Sequence, residues 1–199
     1  EDLKLTMRLL SEVWEDSFVN LERGNRLFRP DYDNFLELSK QAPDITIGWF
    51  NNVFLCNIEN DSIIDLNLFL TKVHDLSPIG NLSALKSFIL NQGPVKSLNP
   101  LRQLTNLLDL ELNNLSINDI TPIEALTQLE QLSLYGLPLL NLQALKKLKR
   151  LKKLSMQFDV DFDDQIIDYS VLSSLSNLES LEIVTSAIQD FTPISLLTN

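Results

Sequence analysis

Apolar side chains return along this chain on a fixed schedule. In the clearest stretch Leu107, Leu110 and Leu112 are followed by Ile117, Ile120, Pro122, Ile123 and Leu126, with polar residues between them. Moved back by 22 residues, the template falls on Leu85, Phe88, Leu90, Val95, Leu98, Pro100, Leu101 and Leu104. One step further back it meets Ile63, Leu66, Leu68, Val73, Asp75, Leu76, Pro78, Ile79 and Leu82. Forward it meets Leu129, Leu132, Leu134, Leu139, Leu142, Leu145 and Leu148. A fifth unit starts with Leu151, Leu154 and Met156 and regains phase, five residues late, at Ile166, Asp168, Tyr169, Leu172 and Leu175. The sixth shows Leu178, Leu181, Ile183, Ile188, Asp190, Phe191, Pro193, Ile194 and Leu197. A constant period of this length is the mark of a repeat architecture.

The spacing dictates a local structure. In Leu-x-x-Leu-x-Leu the last two apolar residues alternate, so a short strand carries both on one face. Strands from successive units then pair in parallel into one sheet. In Asp119-Ile120-Thr121-Pro122-Ile123 the proline fixes φ and lacks a donor, which suits the start of a helical turn. Ile123 and Leu126, three apart, present one face of a 3₁₀ or short α segment to the core. No unit hides its apolar edge alone, and stacking hides all but the ends. The predicted fold is a short α/β solenoid with parallel strands on its concave face. Residues 1–62 form an N-terminal cap, and 63–84, 85–106, 107–128, 129–150, 151–177 and 178–199 form six units.

These units resemble the 22-residue leucine-rich repeats of internalins and related short-repeat proteins. Ile117-x-Asp119-Ile120-x-Pro122-Ile123 with Leu126-Thr127 lies close to that pattern, and the resemblance runs from Ile63 to Asn199. It implies a solenoid that binds other proteins, and it implies no particular partner, because the family binds many unrelated ones. In one respect the chain departs. The family places Asn at the ninth position, where it satisfies turn backbone groups. Here Thr71, Gly93, Leu115, Leu137, Asp159 and Ser186 stand there, so the turns are expected to be looser or differently bonded, in a divergent subfamily.

The ends differ from the middle. Leu10, Val13, Trp14, Phe18 and Leu21 recur at spacings of three and four, which predicts an amphipathic helix over residues 3–22. A second helix, 33–41, ends before Pro43. For the segment that follows, Asn51-Asn52 offers a tight hairpin turn. Alternatively, Ile45, Ile47, Leu55 and Ile58 stand 21 residues before Leu66, Leu68, Leu76 and Ile79 and make a degenerate first repeat, the reading the spacing favours. Either would cap the solenoid. The sequence stops at Leu197-Thr198-Asn199, where another unit would begin, which fits a longer natural chain or an end buried against a second copy.

Composition narrows the function. The chain of 199 residues is 44% hydrophobic and 22% charged, as expected of one folded domain. A net charge of −11 repels phosphate backbones and disfavours nucleic acid. No run of residues is long and apolar enough to insert in a bilayer. Cys56, the single cysteine, lies in an apolar stretch and is expected to be a buried thiol. His74, the single histidine, has no partner for metal or catalysis. No phosphate loop, nucleophile elbow or metal-ligand cluster occurs, so neither enzyme activity nor a cofactor is expected. The inserted Asp159-Val160-Asp161-Phe162-Asp163-Asp164 lacks the glycine and glutamate of a calcium loop and is expected to be a solvated bulge, with a recognition loop as the alternative. Lys146, Lys147, Lys149, Arg150, Lys152 and Lys153 are expected to be a solvated repeat surface, because Leu145, Leu148 and Leu151 keep register through them. The location is not legible: a cytoplasmic one is slightly favoured, and Glu1, in place of Met, leaves a removed signal peptide open.

The remaining candidate site is the concave strand face. Its candidate residues are Asp65, Phe69, Ile89, Asp109, Glu111, Tyr135, Lys153, Gln157, Glu182 and Val184, which alternate with the inward leucines. Phe69, Ile89, Tyr135 and Val184 are apolar where water is expected, and such clusters mark interfaces. The plain alternative is that they cover neighbouring strands. The acids favour a partner bearing a basic patch. The expected function is a protein-interaction module, with a substrate-recognition domain of a larger enzyme or bacterial effector as the alternative. The oligomeric state is not legible.

Overall fold

A computed structural model describes residues 54–59, 62–69, 75–77, 79–139, 141–158 and 167–184. The expected N-terminal helices, His74, the acidic insertion and the turn of the sixth unit lie outside the described residues. Seven strands form one sheet in sequence order: β1 (Phe54–Glu59), β2 (Ser62–Phe69), β3 (Ser87–Gly93), β4 (Asp109–Leu115), β5 (Gln131–Tyr135), β6 (Lys153–Gln157) and β7 (Ser180–Val184). From β2 onward every pair is parallel. Between strands the chain crosses the back of the molecule in 3₁₀ turns, Ile79–Asn81, Asn99–Gln103, Thr121–Ala125, Gln143–Lys147 and Tyr169–Ser174.

Register follows the 22-residue period. Leu66, Phe88, Leu110, Leu132, Leu154 and Leu181 pair across the sheet in one column, and Leu68, Leu90, Leu112, Leu134, Met156 and Ile183 in the next. Leu85, Leu107, Leu129 and Leu151 close the core where each coil enters its strand, and Leu101, Ile123, Leu145 and Leu172 close it from the 3₁₀ side; all are fully buried. At β7 the seal loosens, and Leu181 and Ile183 are only partly buried. The inserted residues after Phe158 leave register intact, since Leu154 still faces Leu181, 27 positions later.

One expectation is corrected. Phe54–Glu59 runs antiparallel to β2, pairing Phe54 with Leu68 and Glu59 with Ser62. Leu55 and Ile58 therefore occupy a hairpin strand, not the strand-end and turn positions of a degenerate first repeat. The reversal into β2 falls between Glu59 and Ser62, while the expected turn at Asn51-Asn52 lies outside the described residues. The physical reason is the exposed edge of a parallel sheet. An antiparallel strand joined by a two-residue link reaches that edge at once, whereas a parallel one needs a full crossover.

The turns are indeed bonded differently from an asparagine ladder at the ninth position. Leu115 and Leu137, which stand there, are buried. The chain bends at the preceding residue instead: Gln92, Asn114 and Gly136, each 22 residues from the next, have φ of 53°, 50° and 60°. A polar ladder appears further on. Asp75, Ser97, Asp119, Asn141 and Asp168 each accept a hydrogen bond from the backbone N–H two residues later, at 2.8, 3.2, 2.8, 2.8 and 2.9 Å. This local turn leads the chain into each 3₁₀ segment and satisfies a donor that the segment leaves open.

Two predictions test this architecture by urea unfolding. Leu110→Ala empties a sealed core site and is expected to cost about 2–5 kcal/mol, while Leu108→Ala, two residues away on the exposed side of the coil, should change stability by less than about 0.5 kcal/mol. Gln92→Gly, which relieves a left-handed backbone, should gain about 0.5–1 kcal/mol. Gly136→Ala should lose about 1–2 kcal/mol, because it adds a Cβ at φ +60° that would fall against the Asn114 side-chain oxygen. Equal losses at Leu108 and Leu110, or a stabilised Gly136→Ala, would contradict this arrangement.

Candidate functional site

The sheet has one face sealed by the leucine columns and one open face. Parallel register places the open-face side chains in three rows. The first is Asp65, Ser87, Asp109, Gln131, Lys153 and Ser180. The second is Asn67, Ile89, Glu111, Ser133, Ser155 and Glu182, and the third is Phe69, Asn91, Asn113, Tyr135, Gln157 and Val184. All ten residues expected at the site therefore fall on three adjacent rows. They do not converge on one point: β2 and β7 are five strand steps, roughly 24 Å, apart. Of Phe69 the backbone position alone is described. Ile89, Asp109, Glu111 and Tyr135 are half-buried, Lys153, Gln157 and Glu182 are exposed, and Val184 is 49% exposed.

Charge divides this face. Asp65, Asp109 and Glu111 gather on β2 and β4, whereas Lys153 stands on β6. Burial raises the Asp109 carboxyl above the ordinary aspartate range, and the neighbouring charges of Glu111 and Asp65 raise it further, against a smaller opposing pull from Lys153. Ionised Asp109 is thus held in a place that disfavours negative charge. Beside it, Asn113 is a residue whose burial the sequence did not signal. Its side chain is 6% exposed, its Nδ2 donates to Glu111 Oε1 at 2.6 Å, and its Oδ1 is buried with no hydrogen-bond partner. Periodicity places Asn113 on the open face; only the crowding of neighbouring strands covers it.

The basic cluster runs from the back of the fourth coil into the first strand residue of the fifth. Lys146, Lys147, Lys149 and Arg150 are exposed around buried Leu145, Leu148 and Leu151, as expected of a solvated repeat surface. Lys152 and Arg150 reach Glu130 at 2.7 and 3.4 Å, and Lys149 Nζ donates to the Ser174 carbonyl at 2.7 Å. These cations hold the Glu130 carboxyl below its usual range, chiefly through the Lys152 hydrogen bond. Among the described residues no three His, Cys, Asp or Glu side chains are grouped so as to hold a metal ion. Among the same residues no helix is long and apolar enough to cross a membrane.

Parallel strands in register, returning through 3₁₀ turns over a leucine core, define a leucine-rich-repeat protein. Comparison with solved structures agrees. Internalin C2 of Listeria monocytogenes is 30% identical with a TM-score of 0.51, over 59% of this chain and 51% of that one. A leucine-rich-repeat protein of Leptospira interrogans superposes with a TM-score of 0.57 at 22% identity, over 81% of this chain and 37% of that one. The leucine-rich-repeat ectodomain of the receptor kinase SOBIR1 from Arabidopsis thaliana shares the fold at 19% identity and a TM-score of 0.53, over 92% of each chain. The repeats of this chain are internalin-like, and the chain spans about half the length of the internalin C2 structure. No protein-family model matches the sequence, and no curated protein is similar to it in sequence.

The strained carboxyl yields a stability prediction. A carboxyl whose folded pKa is raised binds protons more tightly when folded, so its ionisation destabilises the fold as pH rises through its ordinary range. Asp109→Asn is therefore expected to raise the melting temperature at neutral pH. That advantage should shrink as pH falls and wild-type Asp109 takes up its proton. A lower melting temperature for Asp109→Asn at neutral pH would contradict the assigned burial and repulsion.

Proposed function

We propose that the chain is a protein-interaction module that receives its partner on the open face of the sheet and carries out no catalysis itself. The observation that supports this most directly is the face itself. Apolar Ile89, Tyr135 and Val184 stand among Asp65, Asp109, Glu111 and Glu182 on a surface over which no described element lies. Backbone hydrogen bonds and a sealed core fix that surface before any partner arrives, so binding orders few side chains and costs less conformational entropy. Four acids against the one lysine, Lys153, favour a partner whose contacting patch is basic. Complementary charge steers encounter, while the partly buried aromatic ring supplies the well-packed contact that dominates affinity.

Affinity capture with the intact chain, followed by titration of the recovered protein, tests this reading. Tyr135→Ala combined with Phe69→Ala is expected to weaken binding by about 2 kcal/mol or more, some thirtyfold, with little change in melting temperature. The charge reversal Glu111→Lys should weaken binding further and flatten its salt dependence. Glu124→Gln, on the 3₁₀ turn Thr121–Ala125 at the back, should bind as wild type. A partner held equally by all these variants would place its site elsewhere.

A further inference from the structure

Resting on that reading, we infer that the open face carries a built subsite for one arginine side chain of the partner, on β4 and β5 between Asp109, Glu111, Asn113 and Tyr135. Asp109, Glu111 and Asn113 alternate along one side of β4, each about 7 Å from the next, which matches the span of an extended arginine. Next to Glu111 in its cross-strand row stands Ser133, then Ser155, and then Glu182. The two serines give that row a low floor between two carboxylates. Tyr135 stands beside Asn113 in the adjoining row and offers a ring edge-on or face-on to a planar cation.

The acids alone would be an ordinary solvated patch. The independent observation is the Asn113 oxygen, an acceptor buried on this face without a donor. Leaving such an atom unmet costs free energy, and a ligand that brings an N–H recovers it. Glu111 accepts from the other end of that amide and is only half-buried, so its carboxylate stays beside Asn113 with a second oxygen available to an incoming cation. The chemistry required is a positive group with several N–H donors in a fork: the Glu111 carboxylate and the Asn113 amide are neighbours on one side of β4, and a guanidinium turns separate donors to each, whereas an ammonium acts as a point charge. Among the described residues no three His, Cys, Asp or Glu side chains are grouped so as to chelate, and the arrangement suits a side chain rather than a metal ion. The repulsion that strains Asp109 is relieved by the same cation.

The test uses the full chain, isotopically labelled, titrated with N-acetyl-arginine amide at low salt and followed by backbone amide shifts. The expected result is a saturable shift confined to Asp109–Asn113 and Ser133–Tyr135, with millimolar affinity. The lysine amide should produce a clearly weaker response, and the citrulline amide, uncharged but of the same shape, almost none. Asp109→Asn and Glu111→Gln should each weaken binding about threefold or more, and Glu124→Gln should not. No saturable shift at these amides, or an equal response to lysine or citrulline, overturns the subsite. If arginine amide fails here while Tyr135→Ala still releases the captured partner, the subsite alone falls. If arginine amide binds here while the captured partner ignores every open-face variant, the interaction reading falls and the subsite stands.

Discussion

The rest of this structure depends on one requirement: every coil must bury its leucines against the coils on either side. A single coil has an inside only because its neighbours supply the walls. Phe88, Leu110 and Leu132 are fully buried and pair directly across the sheet, and Leu101, Ile123 and Leu145 repeat the arrangement on the far side. Because the same residues recur after a fixed number of positions, the backbone can pair strand to strand with no register shift from β2 to β7. Hydrophobic stacking and main-chain hydrogen bonding thus impose the same geometry, a consistency across levels that favours a single native state.

Polar groups adapt to that requirement rather than set it. In place of an asparagine ladder, leucines continue the core through the ninth position, and the turn is made by left-handed residues one step earlier. The open donors at the start of each 3₁₀ segment are met by a recurring Asp, Ser or Asn. Asp119 and Asp168 are held below the usual aspartate range mainly by hydrogen bonds from the side chains of Thr121 and Ser170, and next by those from their backbone N–H groups. Asn106 and Asn177 each donate across to a carbonyl of the preceding coil, at Ser83 and Lys149, at 2.9 and 2.6 Å. The fifth unit is longer than the others, yet β6 is complete at Gln157 and Asp168 begins the next turn as in the shorter units.

The proposed function belongs to the positions that the core leaves unconstrained. Every second strand residue is held rigidly but chosen freely. In this chain those choices place acids near β2 and β4, an aromatic ring on β5 and a lysine on β6. The cost of concentrating charge falls on Asp109 and that of crowding on Asn113. These are the two groups that the proposed cationic donor would relieve.

The sequence by itself determined the solenoid. Leucine spacing gave the strands, their parallel register, the 3₁₀ turns and the membership of all ten open-face residues in a single surface, because each of these follows from side-chain direction along a strand and from a constant period. Tertiary structure alone decided the rest. The antiparallel pairing of Phe54–Glu59 was not legible, since a sheet edge recruits whatever strand reaches it, and a weak 21-residue echo resembled another repeat. The left-handed bend at Gln92 carries no residue signal, whereas Asn114 and Gly136 are residue types that tolerate that backbone. The raised carboxyl of Asp109 arises from its burial, from Glu111 two positions along the same strand and from Asp65 two strands away, and the unmet oxygen of Asn113 from the packing around that end of β4. Periodicity fixes which residues become neighbours, but burial and field at a given atom depend on the sizes and charges those neighbours have.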